Sequence, residues 1–172
     1  MEVKLTQYPT EQNWLECKRR ALFTAGLTKV HTAPSAEWKR KMLEARHSPI
    51  RCLRFSFDLI GVPYWVTVHL ARHVHAQPYV QSQRNDRQDK YDRDEAPQNA
   101  PVNMIWDMNA EELMVIANKR LCRKTAPETR EVVRRMCELV VANCPEFGTV
   151  LVPMCMYAGC HEIERCGDGD GI

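Results

Sequence analysis

The sequence predicts an α+β domain, with helices packed on a small, mostly antiparallel sheet, on three observations. Four segments place apolar residues at three- and four-residue spacing; residues 53–59 alternate with period two; and 172 residues suffice for one substantial core but not for two ordinary domains. Residues 1–172 are therefore expected to form a single unit.

Composition narrows the class. Hydrophobic residues make up 44% and charged residues 27%, the balance of a globular chain rather than a disordered or fibrous one. A net charge of +2 gives no extended surface for nucleic acid. The apolar stretches around Leu59 and Leu139 are short and broken by polar residues, so no membrane span is expected, and the first eight residues lack the basic start and apolar run of an export signal. The expected compartment is the cytoplasm. There the eight cysteines stay reduced or bind metal, and the scattered Cys17, Cys52, Cys122, Cys137 and Cys144 read as small apolar packing residues.

Along the chain, residues 10–25 read as a helix capped by Thr10, with Trp14, Cys17, Ala21 and Leu22 on one stripe and Gly26 at its end. A second helix follows Ser35, carrying Trp38, Met42 and Ala45. Leu53, Phe55, Phe57 and Leu59 alternate with polar partners, the pattern of a half-buried strand. Gly61 is expected to turn the chain, and Pro63 to open a helix reaching about His75, with His69, Arg72 and His73 on one face and Trp65 and Val68 turned inward or toward a neighbour. Residues 85–102 are polar and read as a loop. A helix over residues 109–120 carries Leu113, Ile116 and Ala117. Thr125-Ala126-Pro127-Glu128 then reads as a capping box opening the last long helix, whose Val132, Val133, Met136, Leu139 and Val140 form a core or subunit-interface stripe ending before Pro145. Residues 155–172 form a tail rich in Cys and Gly.

Three blocks carry a family resemblance. Arg72-His73-Val74 is followed by seven residues and then Ser82-Gln83-Arg84. Upstream stand His47-Ser48-Pro49, the alternating strand and Gly61-Val62. Downstream come Asn109-Ala110-Glu111-Glu112, then Asn118-Lys119-Arg120, then Ala126 and Glu128. In this order the blocks resemble the flavin-dependent thymidylate synthases, whose signature is Arg-His-Arg, seven residues and Ser. The resemblance implies methylation of deoxyuridine monophosphate (dUMP) from methylenetetrahydrofolate, with hydride delivered by FAD that NADPH reduces, in a homotetramer with shared active sites. It implies Arg120 as the catalytic residue polarising the pyrimidine. His69, Arg72, Ser82, Gln83 and Arg84 would bind the nucleotide, and Ser48, Arg72, His73, Val74, Asn109 and Glu111 would line the flavin. The residue types suit the task, since guanidinium groups and a hydroxyl are what a phosphate and an anionic ring require.

The chain departs from that pattern at Val74, at Tyr79-Val80 where an Asn-Glu pair is usual, and at Arg51 where an acidic residue is often found. The polar loop 85–102 replaces a helical segment that supplies a further phosphate-binding Arg, leaving Arg87 or Arg93 as substitutes. These losses fall mostly on flavin contacts, so a non-catalytic pyrimidine-nucleotide-binding paralogue is the alternative. Two metal readings compete. His69 and His73 have the i, i+4 spacing of a metal-binding helix but no Glu between them. Cys155, Cys160, His161 and Cys166, with glycines at 159, 167, 169 and 171, offer zinc-preferred ligands for an interaction protein, but without paired Cys-x-x-Cys spacing; no metal site is assigned, and free thiols or a redox-sensitive pair are preferred.

Overall fold

The computed structural model describes residues 1–87, 89 and 92–166. Its elements are β1 (Glu2–Gln7), α1 (Glu11–Thr24), α2 (Ala36–Glu44), a 3-10 segment (Ser48–Cys52), β2 (Arg54–Pro63), α3 (Tyr64–Ala71), β3 (Gln77–Val80), β4 (Pro101–Asn109), α4 (Ala110–Arg120), α5 (Pro127–Asn143) and the short α6 (Met154–Tyr157). The four strands form one antiparallel sheet in the order β1-β2-β4-β3. The α+β expectation holds.

Period-two alternation builds the inner face of that sheet. Phe55, Phe57 and Leu59 of β2 stand opposite Met108, Trp106 and Met104 of β4, and all six are buried. Against this face pack Leu113, Ile116 and Ala117 from α4 and Val132, Val133, Met136 and Val140 from α5, while Leu139 is only half-buried. Aromatic rings close the far end: Phe55 meets Phe147 edge-on at 5.3 Å between centroids, and Trp14 lies 6.1 Å from Phe147. Burying such rings contributes roughly 1.5–3 kcal/mol apiece, which makes this layer the main source of stability.

Local chemistry explains the ends of the helices. The Thr10 hydroxyl accepts from the Asn13 N–H and the Asn13 side chain accepts from the Thr10 N–H, a reciprocal cap for α1, and Gly26 takes the left-handed φ of +79° that terminates it. The Ser35 hydroxyl caps α2 through the Trp38 N–H.

Five expectations are corrected. Gly61 does not turn the chain: its φ of +66° sits in a register shift between Leu59 and Val62, and β2 continues to Pro63. Helix α3 stops at Ala71 rather than near His75, because the His73 N–H bonds the Leu70 carbonyl and closes the last turn tightly. Val68 points outward at 48% exposure, and Val66, Thr67 and Leu70 fill the inward face instead. Thr125 does not cap α5. Its hydroxyl donates to the Lys119 carbonyl, and α5 begins without a side-chain cap, Pro127 removing one of the N–H groups that would need a partner. The polar loop ends two residues earlier than expected, since β4 begins at Pro101, and Asn85 ties its flanks by bonding the Asp92 carboxylate and the Arg93 N–H. Of the predicted sheet the sequence locates only β2; the structure adds β1, β3 and β4. Glycines 167, 169 and 171 of the tail lie outside the described residues.

Among the described residues, no helix is long and apolar enough to cross a membrane.

Candidate functional site

Helix α4 is the spine of the site. Asn109 ends β4 in extended backbone and its side chain accepts the Glu112 N–H at 2.9 Å, while the Ala110 N–H bonds the Leu53 carbonyl at 2.9 Å. These two bonds fix where the helix starts and how it leaves the sheet. With Leu113, Met114, Ile116 and Ala117 turned into the core, Glu112 and Arg120 are left to face the end of α3.

That end presents His73. Its imidazole stands between Glu112 and Arg120, with Nδ1 at 3.5 Å from Glu112 Oε1 and Nε2 accepting from Arg120 Nε at 2.9 Å. Its ring lies 6.2 Å from that of Trp106, which forms the floor. The second arm of Arg120, Nη2, donates to the His69 carbonyl at 2.9 Å. His69 therefore helps hold Arg120 through its backbone, whereas its ring is edge-on to Trp65 at 5.2 Å and its Nδ1 lies 3.5 Å from the buried Thr129 hydroxyl. Burial, and after it the charge of Arg72, lower the Arg120 pKa. The two arginines come from segments 48 residues apart, and the charge of one is felt at the other. Half-buried cations usually take a carboxylate partner. Arg120 instead bonds an imidazole nitrogen and a carbonyl, and among the described residues no ion pair involves Arg72. An anion placed there would relieve both the burial and the mutual repulsion.

The other expected residues divide into two groups. Ser48, Asn109 and Glu111 lie at the N-terminal end of α4, roughly 14 Å from Arg120 along the helix at 1.5 Å per residue. There the Ser48 side chain is exposed, but Asn109 is engaged as the helix cap and Glu111 is gripped by both arms of Arg51. Arg51, out of pattern by itself, is thereby matched by a carboxylate. Val74 is 76% exposed and offers only an apolar surface. Ser82, Gln83 and Arg84 lie beyond the far end of β3. Gln77, at its near end, pairs with Asp107 beside Trp106, and five extended residues carry the chain roughly 17 Å onward to Ser82. Arg84 forms a two-pronged pair with Asp86, at 2.8 and 2.7 Å, and the Ser82 hydroxyl accepts the Arg84 N–H at 3.3 Å. One chain does not bring this group to Arg120. Arg93 is paired with Asp94.

Glu112 is the residue the sequence reading passed over. Its only signal was its place three residues after Asn109, which reads as a capping-box glutamate.

Among the described residues, no group of three or more His, Cys, Asp or Glu side chains is placed to hold a metal ion. His69 and His73 turn their rings to different partners, and Cys155 and Cys166 are exposed. The buried thiols are chemically quiet. Burial pushes Cys137 up to about 12 and Cys144 up to about 11, and burial together with the neighbouring Cys52 raises Cys17 to about 12. A thiol with such a pKa is roughly one part in a thousand or less thiolate at pH 8. Labelling of the native protein with an aromatic disulfide at pH 8 is therefore expected to modify Cys155 and Cys166 rapidly and to leave Cys17, Cys137 and Cys144 until denaturant is added. Peptide mapping that finds Cys137 labelled as fast as Cys155 would contradict the packing of α5.

Residues 92–146, spanning the end of the polar loop, β4, α4 and α5, match the family described as thymidylate synthase complementing protein. No curated protein matches the sequence. Among solved structures, thymidylate synthase X from Helicobacter pylori with FAD and dUMP superposes with a TM-score of 0.68 at 13% identity, covering 88% of this chain and 97% of that one. A second structure of the flavin-dependent enzyme from Helicobacter pylori, complexed with FAD and dUMP, gives 0.64 at 13% identity, with 83% and 95% covered. At this identity the likeness establishes the fold; together with the family match over residues 92–146 it agrees with the resemblance read from the three sequence blocks.

Proposed function

We propose that this chain, whose fold is that of the flavin-dependent thymidylate synthases, is itself such an enzyme and converts dUMP to its 5-methyl product. What supports the reading is Arg120, held by His73 and the His69 carbonyl, under the charge of Arg72 and without an ion-pair partner among the described residues, on the fold whose solved examples hold dUMP and FAD. In this reading Arg120 is the catalytic residue. Its Nε and Nη2 are committed to His73 and His69, so the remaining donors face outward, where a guanidinium stabilises negative charge on a pyrimidine ring in a water-poor setting. Arg72, at the exposed rim, meets the phosphate or the cofactor.

The residues fit a flavin only in part. The Ser48 hydroxyl and the Arg72 guanidinium are accessible and would hold FAD through its polar groups, with Val74 against an apolar surface of it; Asn109 and Glu111 spend their side chains within the protein. When bound, the flavin supplies the hydride that reduces the transferred one-carbon unit. The protein's part is to hold the nucleotide at Arg120 and keep that ring polarised. NADPH and methylenetetrahydrofolate are the proposed co-substrates.

Ser82, Gln83 and Arg84 reach a nucleotide at Arg120 only from a second copy, because the length of β3 separates the two groups within a chain. This supports a homo-oligomer with shared sites, for which we propose the homotetramer. Tyr79 and Ile105, opposite each other in register and exposed on the open face of the sheet, give a second copy an apolar surface to meet. The proposed compartment is the cytoplasm.

The purified protein is expected to carry or take up FAD, seen as flavin absorbance, and to release tritium from 5-tritiated dUMP when given methylenetetrahydrofolate and NADPH. Absence of both after reconstitution would overturn the enzyme reading. The internal engagement of Asn109 and Glu111 favours one other reading, a nucleotide-binding paralogue without flavin. Calorimetry separates the two: dUMP binding that is indifferent to FAD marks the paralogue, and coupled binding marks the enzyme.

A further inference from the structure

We infer that Glu112 and His73 act as a tautomer relay that holds the Arg120 guanidinium in its binding position, a role that rests on the nucleotide reading of Arg120 for its purpose but not for its geometry. A guanidinium donates and never accepts, so the 2.9 Å bond from Arg120 Nε obliges His73 Nε2 to offer a lone pair. In a neutral imidazole the proton must then reside on Nδ1, and Nδ1 is the atom that faces Glu112 Oε1.

The carboxylate is placed to enforce that arrangement. The side chains of His73 and Glu112 are 9% and 7% exposed, so water does not compete effectively for either one. Glu112 and Arg120 are eight residues apart on one helix, about 12 Å along its axis, and cannot reach each other directly without His73 between them. The imidazole transmits the preference of the buried carboxylate to the guanidinium: Glu112 selects the tautomer, the tautomer accepts from Nε, and Arg120 is held for its ligand. Outer partners of this kind set the orientation and donor state of a histidine in metal sites by the same logic.

The groups facing His73 come from every neighbouring element. From α4 these are Glu112 and Arg120, and β4 contributes the Trp106 ring. At the end of α3, Arg72 acts on Arg120 and the His69 carbonyl accepts its second arm, while Thr129 of α5 is turned to His69. Protonation of His73 places an N–H against the N–H of Arg120. The bond is lost, and Arg120 is pushed from its seat.

Nitrogen-15 spectra of the histidine and arginine side chains test this in the full-length protein without any ligand. The wild type is expected to show His73 protonated on Nδ1 and an accepting Nε2, with a slowly exchanging Arg120 Nε–H. Glu112→Gln keeps the tautomer, because the amide oxygen still accepts from Nδ1–H. Glu112→Leu is expected to release it, to lose the Arg120 Nε–H signal, and to weaken dUMP binding by roughly tenfold or more, the scale of outer-partner losses. Acidifying the wild type until His73 protonates is expected to erase the same Arg120 signal, which keeps the test decisive if Glu112→Leu does not fold. A His73 protonated on Nε2 in the wild type, or an Arg120 signal indifferent to both Glu112→Leu and acid, overturns the relay. A wild type that shows the expected spectra but binds no dUMP upholds the relay and removes only the nucleotide reading.

Discussion

Replacing Arg120 by alanine is expected to lower kcat/KM for dUMP by roughly 10²–10³-fold, the loss found when one pre-aimed donor to a developing oxyanion is removed. The effect should appear chiefly in turnover. Arg120 sits at the end of α4 with a half-buried side chain, and its two described bonds go to His73 and His69, which retain other partners after it is gone. Lysine is not expected to restore activity. A single ammonium cannot bond the His73 nitrogen and the His69 carbonyl as a fork while presenting further donors to a ring, and it is more strongly hydrated. Tritium release and dUMP calorimetry on Arg120→Ala and Arg120→Lys measure both parts. If the lysine variant keeps wild-type turnover, fixed fork geometry is not what the site uses, and Arg120 reduces to a general positive charge.

The same residues show why some of the site was legible and some was not. Arg72, His73 and Arg120 were found because the segments that hold them carry local signals: the spacing from Arg72-His73 to Ser82, and a helix begun by Asn109 and filled by Leu113, Ile116 and Ala117. Helices α1 and α2 were readable for a similar reason, since Thr10 and Ser35 act within three residues of themselves. Sheet pairing is non-local and gave less. In β4, Val102, Met104, Trp106 and Met108 alternate as plainly as β2 does, but the strand runs straight into the helix it precedes, and β3 has only four residues with Pro78 among them. Glu111 and Glu112 differ in the sequence only by their places after the Asn109 cap. Only the direction of α4 sends one to Arg51 at the surface and the other inward to His73. Thr125 illustrates the reverse error: the capping pattern was present, yet a nearby carbonyl at Lys119 took its hydroxyl.

Asn118→Ala is expected to destabilise the fold by about 3 kcal/mol, from the loss of three hydrogen bonds whose partners are left inside the protein at ~1 kcal/mol each. The Asn118 side chain is 1% exposed and uses both ends of its amide. Nδ2 donates to the carbonyls of Val150 and Val152 at 3.1 and 2.6 Å, and Oδ1 accepts from Arg46 Nη2. Arg46 in turn donates from Nε to the Tyr157 hydroxyl at 3.2 Å and stacks its guanidinium 4.6 Å from that ring, while Tyr157 donates to the Glu44 carbonyl at 2.7 Å. The arrangement joins the end of α2, the middle of the α4 C-terminal half and α6. Arg46 holds a left-handed φ of +48°, unfavourable for a residue with a Cβ by about 1 kcal/mol, so the network offsets a strain it also requires. Arg46→Gly relieves that strain while losing the bonds, and is expected to cost less than Asn118→Ala. Urea unfolding of the two variants, followed by fluorescence, gives both numbers. An Asn118→Ala loss below about 1 kcal/mol would mean that water replaces the amide at the Val150 and Val152 carbonyls, and that α6 is not anchored through α4.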